Sequence, residues 1–469
     1  RGRKDDLSFG GEFMCKVLFS TLGMTDPIKN DYDGPLLHIM RHYRPQRVYL
    51  FMTKRVCELA DKDDRYRVQV VRLCEREGFT CEIIERRYEE IDNPQQFDIF
   101  YPIFEWELKN IYHENPGCEL LINLSSGTPQ MKSTCHLLAL TASFPVIPIQ
   151  VTTPNESENY GTPVFDIERT WNDNIDNHPE LEPQDRTHLV AMDNLRYQIL
   201  REAAISNIAA YNYAAALNIL KTVPDFVPQE IIWLLTAAQH RKNMALNEAE
   251  KESAKAHYDM FPIKSGDAKE LFEYLLLLGI QQKNGQLMDF LRGISPALSR
   301  LLESFLDRRC NRQIKKNFCL PDRNDRNHWR IIREKIGRND QQLLVYYDSK
   351  YVSGFRDSDL SCAVLLPIIE YDCGPQGKYS NEKVVEKARH MRMVEEKLRN
   401  SAAHNIVAIK EEHFMNIAGI SSQKLLRDMQ WLFRYTYQEY FTSQVNPWES
   451  YENMNVQIID GLKADRYRN

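Results

Sequence analysis

Residues 119–130 read ELLINLSSGTPQ, and this stretch decides the fold. Leu120–Leu124 is an apolar run of strand length, and Ser125-Ser126-Gly127-Thr128-Pro129 follows it at once. Thr128 suits a helix cap, and Pro129 suits the first helical position, where no N–H is needed. Met131, Cys135, Leu138, Ala139 and Ala142 then recur at i, i+4, i+7, i+8 and i+11, one face of a helix slim enough to pack closely on a sheet. The free N–H groups of that helix start, with hydroxyls from Ser125, Ser126 and Thr128, make an anion site. Gly127 lets a ligand approach the backbone, and Gln130 and Lys132 lie in reach on the first turn. An ordinary well-capped strand–helix turn has the same look, so the rest of the chain must decide.

Working outward, strands and helices alternate from Met14 to about Trp171. Val17–Thr21, Val48–Met52, Cys81–Glu85 and Val146–Thr152 read as further strands, and Phe165–Ile167 as a possible edge strand. Leu36, Leu37, Met40 and Tyr43 mark an amphipathic helix, with Asp33 and Pro35 at its start. Such alternation predicts a parallel sheet covered on both faces. In a doubly wound sheet of this kind, ligands sit outside the carboxyl ends of the strands. The first strand ends in Ser20-Thr21-Leu22-Gly23-Met24-Thr25-Asp26-Pro27, a second hydroxyl-rich exit, and Thr53-Lys54 follows the second strand. Thr21, Gly23, Thr25, Asp26 and Thr53 therefore join Ser125–Thr128, Gln130 and Lys132 as candidate ligand residues. Neither a GxxxxGK[ST] loop nor a GxGxxG turn is present, so the site reads as phosphate binding without NTP hydrolysis or a dinucleotide.

The remaining sequence bounds the function. The chain has 469 residues and a net charge of −6, with 43% hydrophobic and 27% charged residues. That is a multidomain globular composition, and it excludes nucleic-acid binding by a uniformly basic coat while leaving a local basic groove open. No apolar run reaches membrane-spanning length. Residues 1–13 read as a tag or disordered leader without a secretory signal, which predicts a cytoplasmic protein. Ten cysteines without a CxxC pair predict reduced thiols, no disulfide framework and no metal site. Residues 172–185 (NDNIDNHPELEPQD) have linker composition. Beyond them strand signals stop: 186–325 reads as a helical connector, with a polar boundary at 312–325, and 326–469 as a second helical domain.

Near the end, Arg399-Asn400-Ser401-Ala402-Ala403-His404 has the form Arg-Asn-x-x-x-His. With 35 arginines and 12 histidines, chance supplies about one Arg-x-x-x-x-His match, and a second stands at Arg323–His328. Arg323 follows Pro321 in a segment without periodicity. Arg399 sits in a helix whose stripe is Val384, Ala388, Met391, Leu398 and Ala402. Arg399 and His404 lie about 140° apart around that helix, too far to stack as i, i+4 neighbours. Pairing the face with its copy across a two-fold axis would bring such residues together. The residue types suit metal-free RNA cleavage: a histidine moves the 2′-OH proton, a guanidinium holds the phosphate, and Asn400 adds a hydrogen bond. A solvated arginine and a packed helix histidine are the alternative for this motif taken alone.

Together, TDPI (25–28), LINLSSGTPQ (121–130) and RNSAAH (399–404) resemble the CRISPR-associated ancillary ribonucleases of type III systems, which join a Rossmann-like CARF domain to a helical HEPN domain. The resemblance covers residues 14–469 and implies an α/β plus all-α protein: CARF at 14–171, linker at 172–185, helical connector at 186–325, HEPN at 326–469. It implies a homodimer whose CARF pair binds a cyclic oligoadenylate from the type III effector complex, hexa-adenylate rather than tetra-adenylate by closeness of likeness. It implies that binding activates single-stranded RNA cleavage by Arg399, Asn400 and His404 without metal, yielding a 2′,3′-cyclic phosphate. Thr25, Asp26 and Ser125–Thr128 are the activator residues so implied, and self-degradation of the activator there is a known variation; neither membrane nor DNA is expected as a partner. Two other readings stay open: a non-catalytic cyclic-nucleotide sensor whose helical half binds a partner or DNA, and a nucleotide hydrolase using Asp26 or His136 as base.

Overall fold

The computed structural model describes residues 15–24, 26–153, 165–178, 180–181, 184–190, 192–264, 266–322, 325, 328–404, 410–442 and 446–464, the side chains of 398–404 excepted. The chain divides into two compact units, ending at Gln198 and beginning at Ile199.

The first unit is built on strands β1 (Lys16–Thr21), β4 (Arg47–Thr53), β5 (Glu82–Tyr88), β6 (Glu119–Asn123), β7 (Ile147–Val151) and β8 (Thr187–Leu189), with a small hairpin of β2 (Ile28–Lys29) and β3 (Tyr32–Asp33) after the first. The sheet order is β5-β4-β1-β6-β7-β8. All neighbours run parallel except β8, which closes the edge antiparallel to β7. The five expected main strands are all present. The expected edge strand at Phe165–Ile167 is not: Ile167 opens a short helix, and the edge is the three-residue β8, too short to carry an alternating pattern.

Period-two alternation places both faces of each central strand in a core. Leu18 of β1 and Val48, Leu50 and Met52 of β4 pack with helices α1 (Pro35–Tyr43), α2 (Lys54–Asp63) and α3 (Arg65–Glu77). Val17 and Phe19 of β1 and Tyr49 and Phe51 of β4 pack on the other side with α4 (Phe97–Glu114) and α5 (Pro129–Thr141). Phe104 sets its edge against both Phe19 and Phe51, centroids 5.4 and 4.7 Å apart. This is the two-faced burial that an all-parallel sheet requires.

The polar stretch 172–185, expected as a linker, contributes buried side chains to this unit. Arg41 grips Asp33 at 2.7 Å and Asn177 at 2.9 Å, Asn174 donates to Asp33 at 2.7 Å, and Arg186 pairs with Asp176 at 2.9 Å. Its polar residues answer one another below the surface, which composition alone does not reveal. Two clusters with metal-ligand geometry occur among the described residues, both through His38. Both ring nitrogens of His38 already face Arg186, and burial beside that guanidinium lowers its pKa to about 3. The cluster reads as packing.

The thiol expectation needs one correction. Cys15 and Cys118 form a disulfide, because Lys16 and Glu119 are register partners and the residues before them meet. The pair is 103 residues apart in sequence, so spacing rules could not find it. The other eight cysteines are free, and seven of them are buried.

The second unit is helical, centred on the 23-residue helix Leu287–Arg309, which buries eleven of its residues. It also holds a small antiparallel sheet of β9 (Cys319–Pro321), β10 (Trp329–Ile331) and β11 (Ser358–Asp359), where the sequence showed no strand signal. Among the described residues no helix is long and apolar enough to cross a membrane. Its deepest polar feature is Arg241, fully buried, which pairs with Glu273 at 2.7 Å, donates to Ser450 and lies 4.1 Å from the Tyr451 ring centroid. Removing one partner of such a pair leaves an unpaired buried charge and costs about 3–5 kcal/mol. Arg241→Ala should therefore lower the denaturant midpoint sharply, while Arg241→Met with Glu273→Leu should recover most of the loss.

Candidate ligand-binding site

β1 has β4 on one side and β6 on the other, so the strand order reverses between β1 and β6. At such a switch point the two following turns diverge and leave a crevice at the carboxyl ends of the strands. The turns that meet there are the two hydroxyl-rich exits.

Their polar groups divide into those that build the crevice and those left to face it. Asn123, fully buried at the end of β6, donates to Ser20 Oγ (2.9 Å) and Ser126 Oγ (2.8 Å). Its Oδ1 accepts from the N–H groups of Ser125 (2.8 Å) and Ser126 (3.3 Å), which turns the chain out of the strand. Thr21 donates to the Ser126 carbonyl at 2.7 Å, tying β1 to this turn. Ser126 in turn donates its hydroxyl to Asp26, whose carboxylate also accepts from Gly23 N and Leu36 N, both at 3.1 Å. Thr21, Thr53, Ser126 and Asp26 are all buried. Thr21, Ser126 and Asp26 hold the two turns against each other from beneath, while Thr53 is buried at the end of β4, just before α2.

The glycines set the contact distance. Gly127 has φ +88°, a left-handed conformation that favours glycine, and an added Cβ would lie 2.7 Å from Thr21 Oγ1. A Cβ on Gly23 would lie 2.8 Å from the Gly127 nitrogen. The upper layer is then Gly23, Ser125, Gly127, Thr128, Gln130 and Lys132, all partly exposed. Ser125 bridges to β7 by accepting from Val151 N at 2.8 Å. Thr128 caps α5 as expected, accepting from Met131 N, and donates to the Pro94 carbonyl at 2.9 Å. Gln130 Oε1 is buried and has no partner among the described residues. His136 contacts the Lys132 carbonyl one turn back, a packed helix position. Thr25 lies outside the described residues. Sequence reasoning missed Asn123 and Ser20; a lone polar residue ending the apolar run ELLIN was the available signal.

Asp26 has the most perturbed electrostatics in the crevice. Burial pushes its pKa from 3.8 up to about 6, against the opposing pull of the Leu36 and Gly23 N–H groups, the Ser126 hydroxyl and the charge of Lys132.

In the second unit, Arg399, Asn400 and His404 fall at the end of the helix Glu382–His404, and their side chains lie outside the described residues. The described members of the expected stripe, Val384, Ala388 and Met391, are buried. Of the competing motif, Arg323 lies outside the described residues, and His328 stands just before β10, 3.2 Å from Asp359. The Arg399–His404 motif thus lies on a helix, as expected.

A doubly wound sheet with a glycine-lined, hydroxyl-rich crevice at its switch point defines a nucleotide- or phosphate-binding domain, here followed by a helical unit. Family models give that class its particulars. The Cas_Csm6 CARF domain matches residues 80–187, the Csm6 6H domain residues 190–242 and the Cas_Csm6 HEPN domain residues 260–459. The CRISPR system endoribonuclease Csm6 of Mycobacterium tuberculosis is 26% identical over 427 residues, 88% of this chain and 92% of that protein. The protein of the same name from Enterococcus italicus is 32% identical over 213 residues, 45% of this chain and 49% of its own length. A solved structure, Enterococcus italicus Csm6 bound to cyclic hexa-2′-fluoro-hexa-dAMP, has the same fold with a TM-score of 0.70 at 21% identity, covering 95% of this chain and all of that one. The chain belongs to the Csm6 family of CRISPR-associated CARF–HEPN proteins.

The raised Asp26 pKa gives a signed pH dependence. Because the folded pKa exceeds the unfolded one, the folded state binds more protons between the two, and stability falls as pH rises from about 4 to about 6. Measured as denaturant midpoints, the wild type should lose stability relative to Asp26→Asn across that window and run parallel to it above about pH 7.

Proposed function

We propose that this chain is a cyclic-oligoadenylate-activated endoribonuclease that cleaves single-stranded RNA without metal. The observation that carries the reading is the joint match of CARF and HEPN models of one family, with SSGTP at the sheet's switch point and RN-x-x-x-H on a helix of the second unit. In this reading the sheet unit senses, the helical stretch between the CARF and HEPN matches, which holds the 6H match at 190–242, transmits, and the HEPN helices cut.

In the crevice, the ring's phosphates meet the N–H groups and hydroxyl at Ser125–Thr128 and the Lys132 ammonium, with Gly23 and Gly127 admitting the ligand close to the backbone. Asp26 braces the first turn from below, and Thr25 is the further activator residue of this reading. A two-fold symmetric ring fits a crevice shared by two copies, so the active species is a homodimer. The same symmetry unites the HEPN helices, which the 140° separation of Arg399 and His404 favours. There His404 accepts the 2′-OH proton, the 2′-oxygen bonds to phosphorus, and the P–O5′ bond breaks. Arg399 offsets the charge on the phosphoryl oxygens, Asn400 orients the group, and the departing 5′-oxygen takes a proton from water, leaving a 2′,3′-cyclic phosphate and a 5′-OH end. The ring regulates only because it binds the active dimer better than the inactive one. Cyclic hexa-adenylate is the favoured ring, supported by the ligand named for the Enterococcus italicus structure. Slow cleavage of the ring in the CARF crevice is part of the same reading, as is action in the cytoplasm on RNA, with no role for DNA or membrane.

The test mixes the purified protein with a fluorescent single-stranded RNA in EDTA, with no ring, cyclic tetra-adenylate or cyclic hexa-adenylate. Cleavage that depends on the hexa-adenylate ring and leaves 2′,3′-cyclic phosphate ends is expected; no cleavage with either ring overturns the reading. His404→Ala and Arg399→Ala should each lower the rate at least about 100-fold while ring affinity stays within twofold. Ring binding by a protein that never cleaves would instead favour a non-catalytic sensor.

A further inference from the structure

The second unit contains a cavity of about 1630 Å³, several times larger than the others described. One wall is the helix Glu382–His404, which lines it with Glu382, Val385, Glu386, Arg389, His390 and Met393. Those positions are i, i+3, i+4, i+7, i+8 and i+11, a single helix face. At 100° per residue the backbone position of His404 lies about 20° round from Met393 and about 16 Å further along the axis. The groove therefore follows the same helix face that carries the candidate catalytic position.

Its chemistry is aromatic rather than cationic. Tyr346, Tyr371 and Tyr379 line it, the first two with ring centroids 5.5 Å apart. Arg312 is occupied by Asp372 and Asp340, each at 2.6 Å, and Glu370 is held by Lys350 and Arg389. Glu382 and Glu386 remain exposed. With Arg312, Lys378 and Arg389 set against Asp340, Glu370, Asp372, Glu382 and Glu386, the wall is net negative and offers a phosphate chain no net attraction. Its three tyrosine rings are partly exposed, each with a cation over one side (Lys350 at Tyr346, Arg312 at Tyr371, Lys378 at Tyr379), a composition onto which bases stack, and its carboxylates can accept from the exocyclic amino groups of adenine and cytosine.

We propose that this groove binds the single-stranded RNA substrate through its bases, its near end at Met393 some five nucleotides from the scissile phosphate at about 3.4 Å per stacked nucleotide. The inference rests on the RNA-cleaving reading above and adds to it a remote base-reading subsite on the HEPN unit, formed by Tyr346, Tyr371 and Tyr379.

The test uses the full chain with cyclic hexa-adenylate and an uncleavable 2′-fluoro dodecamer carrying 5-iodouridine, irradiated and digested for mass spectrometry. Crosslinks to Tyr346, Tyr371 or Tyr379 are expected; crosslinks confined to other peptides overturn the proposal. In parallel, cleavage of a plain dodecamer is compared with cleavage of a trinucleotide too short to reach the groove. Tyr371→Ala should raise the dodecamer KM relative to the trinucleotide KM about tenfold, the loss of one stacked base, with Tyr371→Phe within twofold of wild type. An unchanged ratio in Tyr371→Ala overturns the proposal while leaving activator-dependent cleavage intact. Wild-type protein that crosslinks at the tyrosines yet cleaves nothing keeps the groove and sinks the ribonuclease reading.

Discussion

The parallel register of β1 against β6 is the constraint on which the sensing half depends. It brings two loops separated by about a hundred residues into one crevice, and a buried chain of hydrogen bonds from Asn123 through Ser126 to Asp26 then locks them. The lock explains why a polar turn can face solvent without collapsing into it. The buried groups that lock the two turns are paired, so the groups left over, the buried Gln130 Oε1 among them, are the candidates for a ligand. The same register places Cys15 beside Cys118 at the opposite ends of the strands. One geometric fact thus accounts for both the crevice and the disulfide.

Within this frame the candidate residues separate by layer. Thr21, Asp26 and Ser126 are buried and tie the two turns together, Thr53 is buried at the end of β4, and Thr128, Gln130 and Lys132 are partly exposed. A raised Asp26 pKa belongs to the first layer: a carboxylate spends its acceptor capacity on backbone N–H groups and a hydroxyl in a place with little water.

Much of this was legible in the sequence. Strands with β-branched, apolar composition announced themselves, and Thr128-Pro129 marked the start of α5. What stayed hidden shares one cause, long-range pairing that leaves no local pattern. Asn174, Asp176 and Asn177 read as linker polarity, and Arg186 as the start of a helical connector, because their partners Asp33, Arg41 and His38 lie some 140 residues earlier. β8, β9, β10 and β11 are two or three residues long, below the length at which alternation is visible. The groove beside the helix Glu382–His404 joins residues from 310 to 393, and no motif spans it.

The central claim is that a ligand held between two strand exits governs cutting by a helix in the other unit. The direct measurement is to follow binding of cyclic hexa-adenylate and RNA cleavage in the same samples of wild type and Gly127→Ala, the substitution that places a Cβ 2.7 Å from Thr21 Oγ1. The account predicts that binding and cleavage fall together and that excess ring restores both along one curve. Full ring-dependent cleavage in a variant that no longer binds the ring at this crevice would contradict it.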